Sequence, residues 1–125
     1  MDIYHEHVLE HYKKPRGAGT LVDATIRFED SNPLCGDTIR VELKIEQEII
    51  ITARHTSRGC AVSQAGASML FERLEGMTVA DALTLPKEEM LAEFGSALSV
   101  SRIKCALLAF SAVKKAIVKS QPNAE

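Results

Sequence analysis

Thr38-Ile39-Arg40-Val41-Glu42-Leu43-Lys44-Ile45 alternates without a break between polar and apolar side chains, and after Glu46, Gln47 and Glu48 the β-branched run Ile49-Ile50-Ile51 begins. Successive side chains of a strand point to opposite faces, so a period of two marks a strand with one face buried and the other in water. The short gap between the runs predicts a hairpin, although the glycine usual in a tight hairpin turn is missing. Upstream, Ala24 to Phe28 is also β-prone.

From Gly59 onward the period becomes helical. Val62, Ala65, Met69 and Arg73 share one helical face, and Ala67, Leu70, Phe71 and Leu74 widen its apolar side, predicting a helix to about Glu75 that Gly76 stops. Thr78 with Asp81 three residues on resembles a capping box, opening a short helical segment through Val79, Ala82 and Leu83. Pro86 begins another, which carries Met90, Leu91 and Phe94 before Gly95. Ser101 is the expected cap of a last helix, in which Ile103, Ala106, Leu107, Phe110, Val113 and Ile117 recur at three- and four-residue steps before it frays at Gln121, Pro122 and Asn123. At the other end residues 2–14, with Ile3, Tyr4, Val8 and Tyr12, predict a short helix stopped by Pro15 and Gly17. Strands first and helices later imply an α+β fold: a small three-stranded antiparallel sheet with helices packed mainly on one face.

The chain has 125 residues, 46% of them hydrophobic, enough for one core in a single domain over residues 1–125. Its 15 basic and 17 acidic residues are intermixed and leave a net charge of -2, which gives no nucleic-acid footprint. No apolar run approaches the ~18 residues of a membrane span. Met1 leads into Asp2, Tyr4, His5 and Glu6 rather than a basic, apolar signal, so a cytoplasmic protein is expected. Three cysteines without an export signal are expected to be thiols.

Those cysteines fall at element junctions. Cys35 sits in the irregular turn Asn32-Pro33-Leu34-Cys35-Gly36-Asp37, directly before the best strand, and Asp37 can bring a carboxylate to the same side of it. Cys60 follows Gly59 at a strand-to-helix junction, where the positive end of the helix dipole attracts a thiolate. Cys105 lies near the expected start of the last helix, with Arg102 and Lys104 adding positive charge. Four ligands of the type Cys3Asp complete a tetrahedral zinc site or anchor a two-iron two-sulfur cluster, but the long gaps between the cysteines leave a shared site and scattered structural thiols evenly matched on spacing alone. His7 and His11 stand one helical turn apart, but no acidic or thiol partner follows at the needed step. His5, His7 and His11 therefore read as a solvent-facing surface, and His55 as structural.

At these residues the sequence resembles the family of iron-sulfur cluster assembly scaffold proteins that comprises IscU, the NifU N-terminal domain and SufU. Glu10-His11-Tyr12, Pro15-Arg16 and Gly19 resemble its opening helix and its H-Y-x-x-P-R signature. Asn32 to Asp37 is similar to its first ligand loop, Gly59-Cys60-Ala61 to its second, and Arg102-Ile103-Lys104-Cys105-Ala106-Leu107 to its third. The resemblance implies that Cys35, Cys60 and Cys105 are thiolate ligands, one of them the persulfide acceptor, with Asp37 as the labile oxygen ligand. Beside such a centre the Arg102 guanidinium can hydrogen-bond sulfur or Asp37 as an auxiliary group, while Lys104, the other auxiliary candidate, reads first as a solvated lysine.

The function it implies is a scaffold that receives sulfur from a pyridoxal-phosphate (PLP) cysteine desulfurase, assembles a 2Fe-2S cluster and transfers it to apo-protein recipients or carriers, as a monomer or a cluster-bridged homo-oligomer. The alternative is a SufU-like zinc-dependent sulfurtransferase that accepts persulfide from the desulfurase. Two features separate the branches. Leu98-Ser99-Val100-Ser101-Arg102 stands where the IscU branch has a chaperone-binding Leu-Pro-Pro-Val-Lys stretch, and Lys104 stands where that branch has histidine, as in SufU. The segment from Cys60 to Cys105 nevertheless lacks the SufU insertion and is compact, as in IscU.

Overall fold

A computed structural model describes residues 3–34 and 36–120; Cys35 and the expected fraying at Gln121 to Asn123 lie outside the described residues. Three strands, β1 (Ile26–Asn32), β2 (Asp37–Glu46) and β3 (Ile49–Arg58), form an antiparallel sheet in the order β1-β2-β3. Ile39, Val41 and Leu43 of the central strand are buried while Thr38 and Arg40 face water, as the alternation predicts. Glu42 departs from it. Although on the polar side it is 2% exposed, covered by Arg27, whose Nε donates to Glu42 Oε1 at 3.0 Å and whose Nη2 is tethered to the carbonyls of Leu21 and Val22.

The first strand starts later than the expected Ala24 and runs on to Asn32. Asp30, Ser31 and Asn32 are poor strand formers, but pairing with Ile39, Thr38 and Asp37 carries them into the sheet. The predicted hairpin joins β2 to β3 through Gln47 and Glu48, whose φ values of 52° and 64° are both left-handed, as a type I′ turn requires. Neither residue favours that region, so tertiary bonds hold the corner. Val79 N–H donates to Glu48 O, Ile50 N–H to Met77 O and Gly76 N–H to Ile50 O, each at 2.8 Å. Beyond the turn the register shifts, with Lys44 opposite Thr52 but Ile45 opposite Ile50. This bulge at Ile51 switches the parity of the strand, and so both Ile50 and Ala53 point inward.

Among the described residues the helices follow the predicted order, with the last one divided in two: α1 (Ile3–Lys13), α2 (Ala61–Leu74), α3 (Val79–Thr84), α4 (Lys87–Phe94), α5 (Ile103–Ala106) and α6 (Leu108–Ser120). Thr78 caps α3 as expected, its Oγ1 accepting the Asp81 N–H at 3.0 Å. The last helix is not the single element expected from Ser101. Gly95–Ala97 and Val100–Arg102 are 3-10 turns, and the helix bends at Leu107, where φ and ψ are -99° and 4°. Ser101 lies inside the second turn, and its hydroxyl meets that of Ser99 at 3.2 Å instead of capping a helix. The core stripe of α6 is also rotated from the expected one. Leu108, Ala109, Ala112, Val113, Ala116 and Ile117 are buried, while Leu107 and Phe110 are left half-buried. Small alanines allow the close approach to the sheet that the bulkier residues would prevent.

Helices α2 and α6 cover the apolar face of the sheet, and Lys115 anchors α6 to β1 through Asp30 Oδ2 at 3.0 Å. No helix among the described residues is long and apolar enough to cross a membrane.

Candidate metal and sulfur centre

Three elements end at one point. Asp37 is the first residue of β2 and only 1% exposed. Cys60 is the N-cap of α2, with the extended backbone (φ -72°, ψ 165°) of a capping residue. Its Sγ accepts the Ser63 N–H at 3.5 Å, the bond that a serine or aspartate makes at an ordinary cap. The Ser63 hydroxyl returns a bond to the Cys60 carbonyl at 3.0 Å, and Gln64 Nε2 donates to Gly59 O at 2.9 Å, so the first turn of α2 is closed on itself. Cys105 lies in α5 and is buried.

The carboxylate of Asp37 links two of these elements. Its Oδ1 accepts the Cys60 N–H at 2.9 Å and its Oδ2 lies 3.5 Å from Cys60 Sγ. One ligand atom from each of Asp37, Cys60 and Cys105 lies within 4.8 Å of the others. Zinc holds thiolate sulfur at ~2.3 Å and carboxylate oxygen at ~2.0–2.2 Å, which puts neighbouring donors of a tetrahedral site roughly 3.5–4 Å apart. The donor set therefore fits one soft, thiophilic ion after modest side-chain rotation.

Two glycines make the convergence possible. Gly59 has φ +139°, and a Cβ there would run into the Asp37 carboxylate itself. Gly66 faces the backbone of α5, where a Cβ would stand 2.5 Å from the Ala106 carbonyl, so its lack of a side chain brings α2 against the helix that carries Cys105.

Asp37, Cys60 and Cys105 are thus brought together, while Cys35 lies outside the described residues. In the same turn, Asn32 Oδ1 accepts the Leu34 N–H at 3.1 Å and Asn32 O accepts the Gly36 N–H at 2.8 Å. Arg102 and Lys104 are exposed. Lys104 lines a groove of about 450 Å³ with Asn32, Pro33, Leu107, Phe110 and Lys114, between the end of β1 and α6. The sequence reading missed Ser63, Gln64 and the two glycines; Ser63, three residues after a cysteine expected at a strand-to-helix junction, is the one that capping logic could have found.

The model of the NifU-like N-terminal domain matches residues 3–124. The chain belongs to that family. This NifU-like chain is 30% identical to the zinc-dependent sulfurtransferase SufU of Bacillus subtilis, over 95% of its own length and 92% of the relative's. It is also 30% identical to the iron-sulfur cluster assembly scaffold protein IscU of Thermotoga maritima, over 94% of each. Among solved structures, a nitrogen-fixing NifU-like protein (N-terminal) from Brucella abortus superposes with a TM-score of 0.79 at 26% identity, covering 98% of the NifU-like chain and 96% of that structure.

Of the three N-terminal histidines expected to face solvent, His5 does so, whereas His7 is half-buried and His11 is buried. His11 is 3% exposed, with Nδ1 2.7 Å from the hydroxyl of fully buried Ser68, and His7 Nε2 lies 2.9 Å from Glu93 Oε1. Burial, reinforced by the positive charge of Arg16 and by His7, holds the His11 pKa below the usual histidine value. His55 is structural, as expected: Nε2 donates to Arg16 O at 2.9 Å, Nδ1 accepts from Ser57 at 2.8 Å, and burial pushes its pKa down.

Proposed function

We propose that this chain is an iron-sulfur cluster assembly scaffold: it receives sulfur from a PLP-dependent cysteine desulfurase, assembles a 2Fe-2S cluster on Cys35, Asp37, Cys60 and Cys105, and passes it to apo-proteins or carriers. The observation that carries this reading is the meeting of Asp37, Cys60 and Cys105 donor atoms within 4.8 Å at the ends of three different elements. In this reading Cys35, two residues before Asp37 in sequence, completes the set. The IscU relatives, so named as assembly scaffolds, support the same reading.

The chemistry follows from the donors. A thiolate of this chain attacks the outer sulfur of the desulfurase persulfide; a new S–S bond forms, the old one breaks, and the desulfurase cysteine leaves as thiolate. Iron is cargo, held by three soft sulfurs and one harder carboxylate. Asp37 is the ligand suited to let go, because its oxygen binds less covalently than thiolate and already has a second partner in the Cys60 N–H. The protein works as a single domain in the cytoplasm, as a monomer or with a cluster bridging two copies.

A second reading has its own support: the SufU relative is a zinc-dependent sulfurtransferase, and Arg102-Ile103-Lys104-Cys105 resembles that branch. In it Cys35, Asp37, Cys60 and Cys105 would hold zinc, which would favour their thiolate forms, and one of those thiolates would accept the persulfide sulfur. Serine at Cys35, Cys60 or Cys105, followed by metal analysis after anaerobic loading, tests the ligand set common to both readings. Each variant is expected to lose the metal held at this centre; retention of wild-type metal content by any of them removes that cysteine from the site.

A further inference from the structure

A second group of donors lies where α1, α2 and α4 meet and shares no residue with the sulfur centre. His7 and His11 are four residues apart on α1, so both imidazoles project from one face, the spacing by which helices present paired histidines to a metal. The sequence around them offers no third ligand. The fold supplies it from α4: Glu93 Oε1 is 2.9 Å from His7 Nε2, and one donor atom from each of His7, His11 and Glu93 lies within 4.8 Å of the others.

We propose that His7, His11 and Glu93 form a binding site for a borderline divalent cation of the zinc class, which clamps the N-terminal helix to α4. Zinc takes imidazole nitrogen and carboxylate oxygen at about 2.0–2.2 Å, so its ligands stand roughly 3.3 Å apart, close to the His7–Glu93 separation. The fourth position falls to water or to Glu72 of α2, whose Oε2 is 3.5 Å from His11 Nε2.

The surroundings are those of a built site. His11 is buried and its Nδ1 is bonded to Ser68 Oγ, which also accepts the Arg16 N–H at 2.8 Å; this fixes the ring and leaves Nε2 facing the carboxylates. Such outer bonds orient metal-ligating histidines. Arg73 Nη1 approaches Glu93 Oε2 at 3.8 Å, leaving Oε1 to the histidine pair. An opening of about 600 Å³ lined by Ile3, Tyr4, Glu6, His7, Glu10 and Glu93 gives an ion a path in, and the half-exposed His7 and Glu93 are free to close on it while His11 stays fixed.

Zinc titration of the full chain separates this site from the sulfur centre. The wild-type protein is expected to bind two equivalents by calorimetry and metal analysis. His7→Ala and Glu93→Gln, both at partly exposed positions, should bind one equivalent, with the second weakened at least tenfold. A Cys60→Ser/Cys105→Ser variant should keep the histidine equivalent, and in the wild-type protein the imidazole NMR signals of His7 and His11 should shift as the second equivalent is added. Unchanged stoichiometry and affinity in both His7→Ala and Glu93→Gln would overturn the proposal, as would imidazole signals unmoved by two equivalents of zinc. Neither result bears on cluster assembly at the cysteines, whose failure instead shows as loss of the first equivalent in wild type.

Discussion

Asp37 accepts the backbone N–H of Cys60 through Oδ1 at 2.9 Å, while its Oδ2 faces the Cys60 sulfur at 3.5 Å. One carboxylate thus joins the start of the central strand to the start of α2 and also stands among the candidate ligands. Its two oxygens divide the work, one setting where the sulfur lies and the other available to an ion.

Replacement of that carboxylate separates the two roles. In Asp37→Ala the three thiols remain and a cluster is expected to form, but its transfer to an apo-ferredoxin should slow by about tenfold, an ~1.4 kcal/mol rise in barrier. The Cys60 N–H also loses its acceptor, which should lower stability by ~1–3 kcal/mol. Transfer followed by circular dichroism checks the first outcome and urea unfolding the second; a transfer rate equal to wild type would remove Asp37 as the labile ligand.

Gly59→Ala should damage the site without replacing a ligand. The added Cβ meets the Asp37 carboxylate and the backbone sits at φ +139°, so a stability loss of ~1–3 kcal/mol is expected from strain. Zinc affinity, measured by chelator competition, should fall by at least tenfold, since Asp37 and Cys60 can no longer hold their present spacing.

Gly66→Ala probes the other side. Its Cβ would press on the Ala106 carbonyl and push α5 from α2, costing ~1–3 kcal/mol by overpacking and shifting Cys105 from its neighbours. Urea unfolding and metal analysis are the readouts; wild-type values in both would show that the α2–α5 approach does not set the position of Cys105.

The strand alternation from Thr38 to Ile45 was readable because β2 is the central strand, paired on both sides and buried on one face. The hairpin was readable in outline only. Its left-handed Gln47 and Glu48 are imposed by the bond from Val79 to Glu48 O, a contact no local preference encodes. The place of Cys60 near a helix start followed from the change of period at Gly59, and the motif resemblance pointed to Asp37 and Cys105. The histidines failed for a different reason. Glu93 lies 86 residues from His7 in sequence, and Ser68 lies 57 from His11, so a search for partners one helical turn away could not find them.

Two buried histidines predict an acid limb of stability. The pKa values of His11 and His55 are both held below the ordinary 6.5 by burial, so the unfolded chain takes up their protons first as the pH falls. Their contribution is complete above about pH 6.5 and is lost progressively as the pH drops from there through the lowered folded-state values. The urea midpoint should therefore be lower at pH 5.5 than at pH 7.5, and His55→Gln should flatten that dependence. A midpoint that rises on acidification would contradict the assignment.

Anaerobic incubation of the purified chain with ferrous iron, cysteine and a cysteine desulfurase tests the scaffold reading most directly. The account predicts a visible charge-transfer spectrum with about two irons per cluster-bearing unit, lost when Cys60 or Cys105 becomes serine. Tight stoichiometric zinc that iron does not displace, with no cluster spectrum and with strong stimulation of desulfurase turnover, would contradict it.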